Sequence, residues 1–145
     1  MQDLPHHYTV TAAAGNSGNV TLNADGVEAI ESAPPAEFGG PGDRWSPESL
    51  LVAAVADCFV LTFRAIARAS KLDWEQLECS AEGTLDRVER VTRFTAVNVS
   101  ARLTVPAGTD REKAEKLLHK AEENCLITNS LNVQTSLATE VVESA

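Results

Sequence analysis

From Leu50 to Phe63 the chain is apolar at nearly every position, with Asp57 the one charge in the run. A helix that is apolar all round is enclosed on several sides. Ser46 as cap, Pro47 at the first helical position and Glu48 in the first turn mark its start. The helix is predicted to run to about Ser70. Ala53, Ala54, Ala56, Ala65 and Ala69 are small enough to let another backbone approach. One domain of this size has few elements with which to enclose such a helix, so a second subunit is expected to supply the missing cover.

The period then changes from helical to alternating. Over Gln76 to Glu89, Leu77, Cys79, Ala81 and Leu85 point one way, and Glu78, Glu82 and Asp86 the other. Over Arg93 to Val105, Val97, Val99, Ala101, Leu103 and Val105 form the inward set. Both segments read as half-buried strands, joined as a hairpin around Glu89 to Thr92. Upstream, Tyr8 to Ala13 reads as a strand, and Asn19–Leu22 and Val27–Ile30 flank the turn Asn23-Ala24-Asp25-Gly26 as a second hairpin. Ser32 to Asp43 holds Pro34, Pro35, Gly39, Gly40, Pro41 and Gly42 and reads as a spacer loop with some mobility. Downstream, a capping box of Thr109 and Glu112 opens a helix whose face is Ala114, Leu117, Leu118 and Ala121. Asn124 closes it, Cys125 to Leu131 is a turn or short helix, and Val133 to Val142 is a last strand. This order predicts an α+β fold with mainly antiparallel sheets. It is read as a single domain over 1–145, with the strands and loop in 1–45 and the remaining elements in 46–145.

A chain of 145 residues can bury a core without disulfide or metal staples. Its 43% hydrophobic and 23% charged residues exclude disordered, collagen-like and coiled-coil classes. A net charge of −9 repels phosphate backbones, so no nucleic-acid partner is expected. No basic segment followed by an apolar run opens the chain, and Leu50–Phe63 is short for a bilayer, so neither a signal peptide nor a membrane partner is expected. Three widely spaced cysteines point to a reducing cytoplasm, where a cysteine pair serves redox chemistry. No Walker loop, Gly-x-Gly-x-x-Gly, His-x-x-x-His or Cys-x-x-Cys occurs, so no cofactor or metal is expected.

Cys58 lies in the most buried helix. It is either a small core hydrophobe or a reactive thiolate, and the second role calls for a nearby cation that offsets burial and Asp57. Cys125 follows Glu122, Glu123 and Asn124 and is either packed or a redox partner. Cys79 sits on the inward face of its strand and reads as structural. Glu48 suits a helix start on its own. Arg44, at the end of the glycine loop, is a surface charge or the cation a thiolate needs. His6 and His7 read as surface residues, and His119 with Cys58 would be the pair of a Cys-His hydrolase.

Three segments together resemble the OsmC/Ohr family: Phe38-Gly39-Gly40-Pro41-Gly42, Ser46-Pro47-Glu48-Ser49-Leu50-Leu51 and Ala53-Ala54-Val55-Ala56-Asp57-Cys58-Phe59. Glu123-Asn124-Cys125-Leu126-Ile127-Thr128-Asn129-Ser130 resembles that family's second cysteine motif. The resemblance implies an intertwined homodimer in which mainly antiparallel sheets wrap long central helices. It also implies a cytoplasmic thiol peroxidase of the oxidative stress response, acting on organic hydroperoxides or hydrogen peroxide. Carried over, Cys58 is peroxidatic, Cys125 resolves its sulfenic acid as a redox-active disulfide, and a lipoyl-type dithiol restores both thiols. Glu48 matches the Glu that orients an activating Arg. Ten residues of helix span about 15 Å, so Glu48 of one chain is expected to serve Cys58 of the other. The Ohr branch carries its Arg in the first strand turn, here Ala14-Gly15-Asn16-Ser17-Gly18, which leaves Arg44 as the nearest alternative. Leu126 stands where the family usually has Pro. The alternative is a redox-inactive dimer that binds an apolar small ligand at its interface.

Overall fold

A computed structural model describes residues 1–145. The chain gathers into two compact units, Met1–Leu50 and Leu51–Ala145.

In the first unit, β1 (Thr11–Ala13), β2 (Val20–Asn23) and β3 (Ile30–Ser32) form an antiparallel sheet in that order. β1 is shorter than the Tyr8–Ala13 reading, β2 is shifted one residue on from Asn19–Leu22, and β3 begins where the Val27–Ile30 reading ends, so that β2–β3 pairing (Leu22 with Ile30) starts four residues beyond Gly26. Gly26 has φ +80°, as the turn requires. The proline and glycine segment is tied down: Ala33 N–H donates to the Trp45 carbonyl at 2.9 Å, and Ser32 bridges Trp45. Inside it, Phe38 and Gly40 both donate to the Pro35 carbonyl, at 2.9 and 3.0 Å. A Cβ at Gly40 would stand 1.7 Å from the Pro34 carbonyl oxygen. Gly40→Ala is therefore expected to open this loop and raise its proteolysis about tenfold or more, seen as new cleavage between residues 33 and 45.

Helix α1 (Pro47–Ala69) starts at a reciprocal cap. Ser49 N–H donates to Ser46 Oγ at 3.1 Å, and Ser46 N–H to Ser49 Oγ at 2.9 Å. Beyond Leu50 the helix buries one stripe, Val55, Phe59, Phe63 and Ala67, at the four-residue spacing of a single face. By length and composition α1 could cross a bilayer, yet only 22% of its most apolar stretch is buried in this chain.

In the second unit, β4 (Gln76–Val88) and β5 (Val91–Val105) form a long antiparallel ribbon. They join through a two-residue turn, Glu89 and Arg90, both with positive φ (51° and 70°), as a tight hairpin demands. A bulge between Thr84 and Leu85 leaves Thr95 unpaired, and beyond it Leu85 is exposed, although its parity is that of the inward set. Gly83 lies under Phe94 and Val52, where a Cβ would approach to 2.9 and 2.8 Å. After β5, α2 (Arg111–Glu123) and α3 (Leu126–Asn129) form the crossover to β6 (Gln134–Glu143). β6 therefore pairs with β5 in parallel, Val97 opposite Thr135 through Val105 opposite Glu143. The cap of α2 is Asp110, which accepts from Lys113 N–H at 3.1 Å, in place of the Thr109–Glu112 box. The Thr109 hydroxyl instead donates to the Pro106 carbonyl at 2.6 Å. Ala114, Leu117, Leu118 and Ala121 pack with the α1 stripe and the inward set of β5 in one core.

Candidate active site

Cys58 sits on the face of α1 adjacent to its core stripe and faces α3. Burial pushes its thiol up. Hydrogen bonds from Ile127 N–H, the Cys125 thiol, the Thr62 hydroxyl and Leu126 N–H outweigh that and bring it below the ordinary thiol value. Thr62 Oγ1 lies 3.8 Å from Cys58 Sγ, one helical turn on. The donors that lower this thiol are neutral. Within this unit, two of them are backbone N–H groups in the first turn of α3.

Cys125 is the N-cap of α3 and is 1% exposed. Burial raises its thiol, the Thr128 hydroxyl (3.2 Å) and N–H draw it down, and the neighbouring Cys58 raises it; the net direction is upward. Cys79, on β4, is pushed up to about 11, by burial first and by Cys125 second. All three cysteines are free thiols. The three thiols thus differ in direction, and Cys58 alone is biased toward the nucleophilic thiolate.

Cys58 opens into a cavity of about 490 Å³. Ala54, Leu61 and Ala65 of α1 and Leu126 and Ile127 of α3 make its apolar walls, and Asp57 and Thr62 add polar groups. His119 is exposed on α2 and lines a different cleft with Lys116 and Lys120, so it gives no support to a Cys-His pair. In the first unit, Arg44 pairs with Asp43, 3.7 Å to Oδ2, and donates to the Asp43 carbonyl at 3.1 Å. Glu48 Oε1 is buried with no hydrogen-bond partner, a position that calls for a cation or donor.

Leu126 N–H is the donor that the sequence pattern hides, because it exists only where Pro does not. Leu126→Pro removes it with little else disturbed. Position 126 is the first residue of α3, where Pro is tolerated. Cys125 is already extended at φ −69°, ψ 103°, as a residue before Pro must be. Thermal stability is expected to hold within about 0.5 kcal/mol. The midpoint of the pH dependence of Cys58 alkylation is expected to move up.

An α+β protein with a lowered thiol on its long helix and a second thiol against it defines a class of two-cysteine proteins. A family model described as OsmC-like protein matches residues 40–140, and the chain belongs to that family. It is 30% identical over 144 residues to the uncharacterised protein YmaD of Bacillus subtilis, covering 94% of this chain and 95% of that one. It is 28% identical over 120 residues to an organic hydroperoxide resistance protein of Xanthomonas axonopodis, covering 83% and 82%. Among solved structures, an organic hydroperoxide resistance protein from Legionella pneumophila superposes with TM-score 0.75 at 28% identity, covering 95% of this chain and 99% of that one. An OsmC-like protein of unknown function from Vibrio cholerae superposes with TM-score 0.84 at 22% identity, covering 95% and 100%, and bears on the fold.

Proposed function

We propose that this chain is a cysteine-based peroxidase that reduces organic hydroperoxides. The observation that carries the reading is the Cys58 sulfur, lowered by α3 donors, with the Cys125 thiol against it and an apolar cavity before it. The Cys58 thiolate attacks the outer peroxide oxygen. The O–O bond breaks, the alkoxide leaves as alcohol after taking a proton, and Cys58 becomes a sulfenic acid. The Cys125 thiol attacks that sulfur, water leaves, and a Cys58–Cys125 disulfide forms. A dithiol of the lipoyl type then reduces it by two exchange steps, giving two thiols and the oxidised cyclic disulfide. No cofactor or metal takes part in these steps.

A homodimer completes the protein in this reading. Most apolar residues of α1 outside its core stripe are only part-buried in one chain, and Leu61 is exposed; the first unit exposes Tyr8, Val10, Val27, Ile30, Phe38 and Trp45. Surfaces of that kind mark protein interfaces. Glu48 and Arg44 are assigned to the carboxylate–guanidinium pair that faces the thiolate. The orphaned Glu48 oxygen supports Glu48 in that role, and in this reading the pair serves the thiolate of the other chain. A cytoplasm that keeps three thiols reduced suits the cycle.

The same apolar walls would also hold a non-reacting ligand, which is the second reading. Consumption of cumene hydroperoxide with dihydrolipoamide as reductant separates the two. Sustained turnover, slower with hydrogen peroxide, is expected. No turnover of either peroxide would leave the ligand-binding dimer.

A further inference from the structure

We infer that the Thr128 hydroxyl holds Cys125 as the leaving thiolate when a dithiol reduces the Cys58–Cys125 disulfide, so that the reductant bonds to Cys58. The place of this step in a peroxide cycle rests on the peroxidase reading; the disulfide chemistry itself does not. A hydroxyl inside a helix ordinarily returns to the carbonyl three or four residues back. Ser130 does so, donating to the Leu126 carbonyl at 2.7 Å. Thr128 instead donates to Cys125 Sγ at 3.2 Å. The two residues share one short turn, so the contact travels with Cys125 when its sulfur bonds to Cys58. The contact lies inside one chain and Cys125 is already 1% exposed, so a second copy over α1 leaves both facts unchanged.

A thiolate attacks a disulfide along the S–S line, from behind the sulfur it bonds to. Attack on Cys125 would have to pass through the packing that buries it. Cys58 is half-buried, and any peroxide that reacts must reach it, so a path to that sulfur exists. Access therefore outweighs the better leaving ability of Cys58, the lower of the two thiols. The first thiolate of the dithiol bonds to Cys58 Sγ, the S–S bond breaks, and its electron pair stays on Cys125. Burial opposes that charge, and the Thr128 hydroxyl donates to the atom that carries it. Cys125 then takes a proton. The second thiolate of the dithiol attacks its own bound sulfur, which releases Cys58 and closes the cyclic disulfide.

The test starts from the full chain oxidised with diamide, which needs no peroxidase activity. The oxidised chain is reacted briefly with 2-mercaptoethanol, quenched in acid, unfolded, alkylated with N-ethylmaleimide and peptide-mapped. The expected product carries the mercaptoethanol on Cys58 and the maleimide on Cys125. Dihydrolipoamide is expected to reduce the disulfide of Thr128→Val about five- to tenfold more slowly than that of wild type, the effect of a lost hydrogen bond on a partly developed charge. Thr128→Ala, which removes the same hydroxyl without filling its space, is expected to slow the step equally. Thr128→Ser is expected to restore the wild-type rate. Mercaptoethanol on Cys125, equal rates in Thr128→Val and wild type, or no Cys58–Cys125 link under diamide would each overturn the inference. The expected results on the diamide-oxidised chain, obtained while cumene hydroperoxide forms no disulfide, would uphold Thr128 and overturn the peroxidase reading.

Discussion

Cys58→Ser is expected to abolish hydroperoxide consumption, with a loss of about a thousandfold or more. A serine hydroxyl cannot reach the anionic state near neutral pH and cannot carry a sulfenic oxygen. Neither remaining thiol is placed to take over. Cys125 is 1% exposed and biased toward the neutral thiol, and burial pushes the Cys79 thiol up to about 11. The substitution is close to isosteric at a partly buried site, so the melting temperature is expected to stay near that of wild type. The checks are a coupled peroxide assay and a thermal melt on the same preparation. Retained turnover would show that the chemistry lies elsewhere.

Phe63→Ala is expected to give the largest loss of stability of any single change considered. Its ring is 0% exposed and meets Trp74 edge-on, with centroids 5.5 Å apart and planes at 71°. It lies in the α1 stripe that joins the helix to the inward set of β5 and the face of α2. Truncation forfeits its apolar burial and the aromatic contact and leaves a cavity, a cost of about 3–5 kcal/mol. Against a total stability of about 5–15 kcal/mol, that lowers the melting temperature by about 10 °C or more. Leu61→Ala is the control: the side chain is 49% exposed on the same helix, and a change within about 1 kcal/mol is expected. Denaturant titrations followed by Trp fluorescence compare the two.

The elements legible in the sequence are those set by local periodicity. The alternation of Val97, Val99, Ala101, Leu103 and Val105 and the spacing of Ala114, Leu117, Leu118 and Ala121 reappear as the buried residues of β5 and α2. Properties set by pairing were harder to read. Leu85 belongs to the inward set by parity, but the bulge beside it cannot be seen from one strand. The hairpin closes at Glu89 and Arg90, which lack the glycine signal that usually marks such turns. Thr109 and Asp110 are both good caps, and the backbone choice between them depends on where Pro106 turns the chain.

The candidate site follows the same division. Cys58 and Cys125 stand out by motif, whereas the reason for the lowered Cys58 thiol lies in the packing of α3 against α1. Two backbone N–H groups about seventy positions away in sequence have no sequence signature beyond the presence of Leu126 where Pro would remove a donor. The four-residue α3 and its donors emerge only when the crossover from β5 to β6 returns the chain to the long helix.

The most direct measurement is the intact mass of the fully reduced protein after a slight excess of cumene hydroperoxide, with peptide mapping. The expected result is a rapid loss of two hydrogens, located to a Cys58–Cys125 link and reversed by dihydrolipoamide. An unchanged mass, or a link that omits Cys58, would contradict the two-cysteine peroxidase.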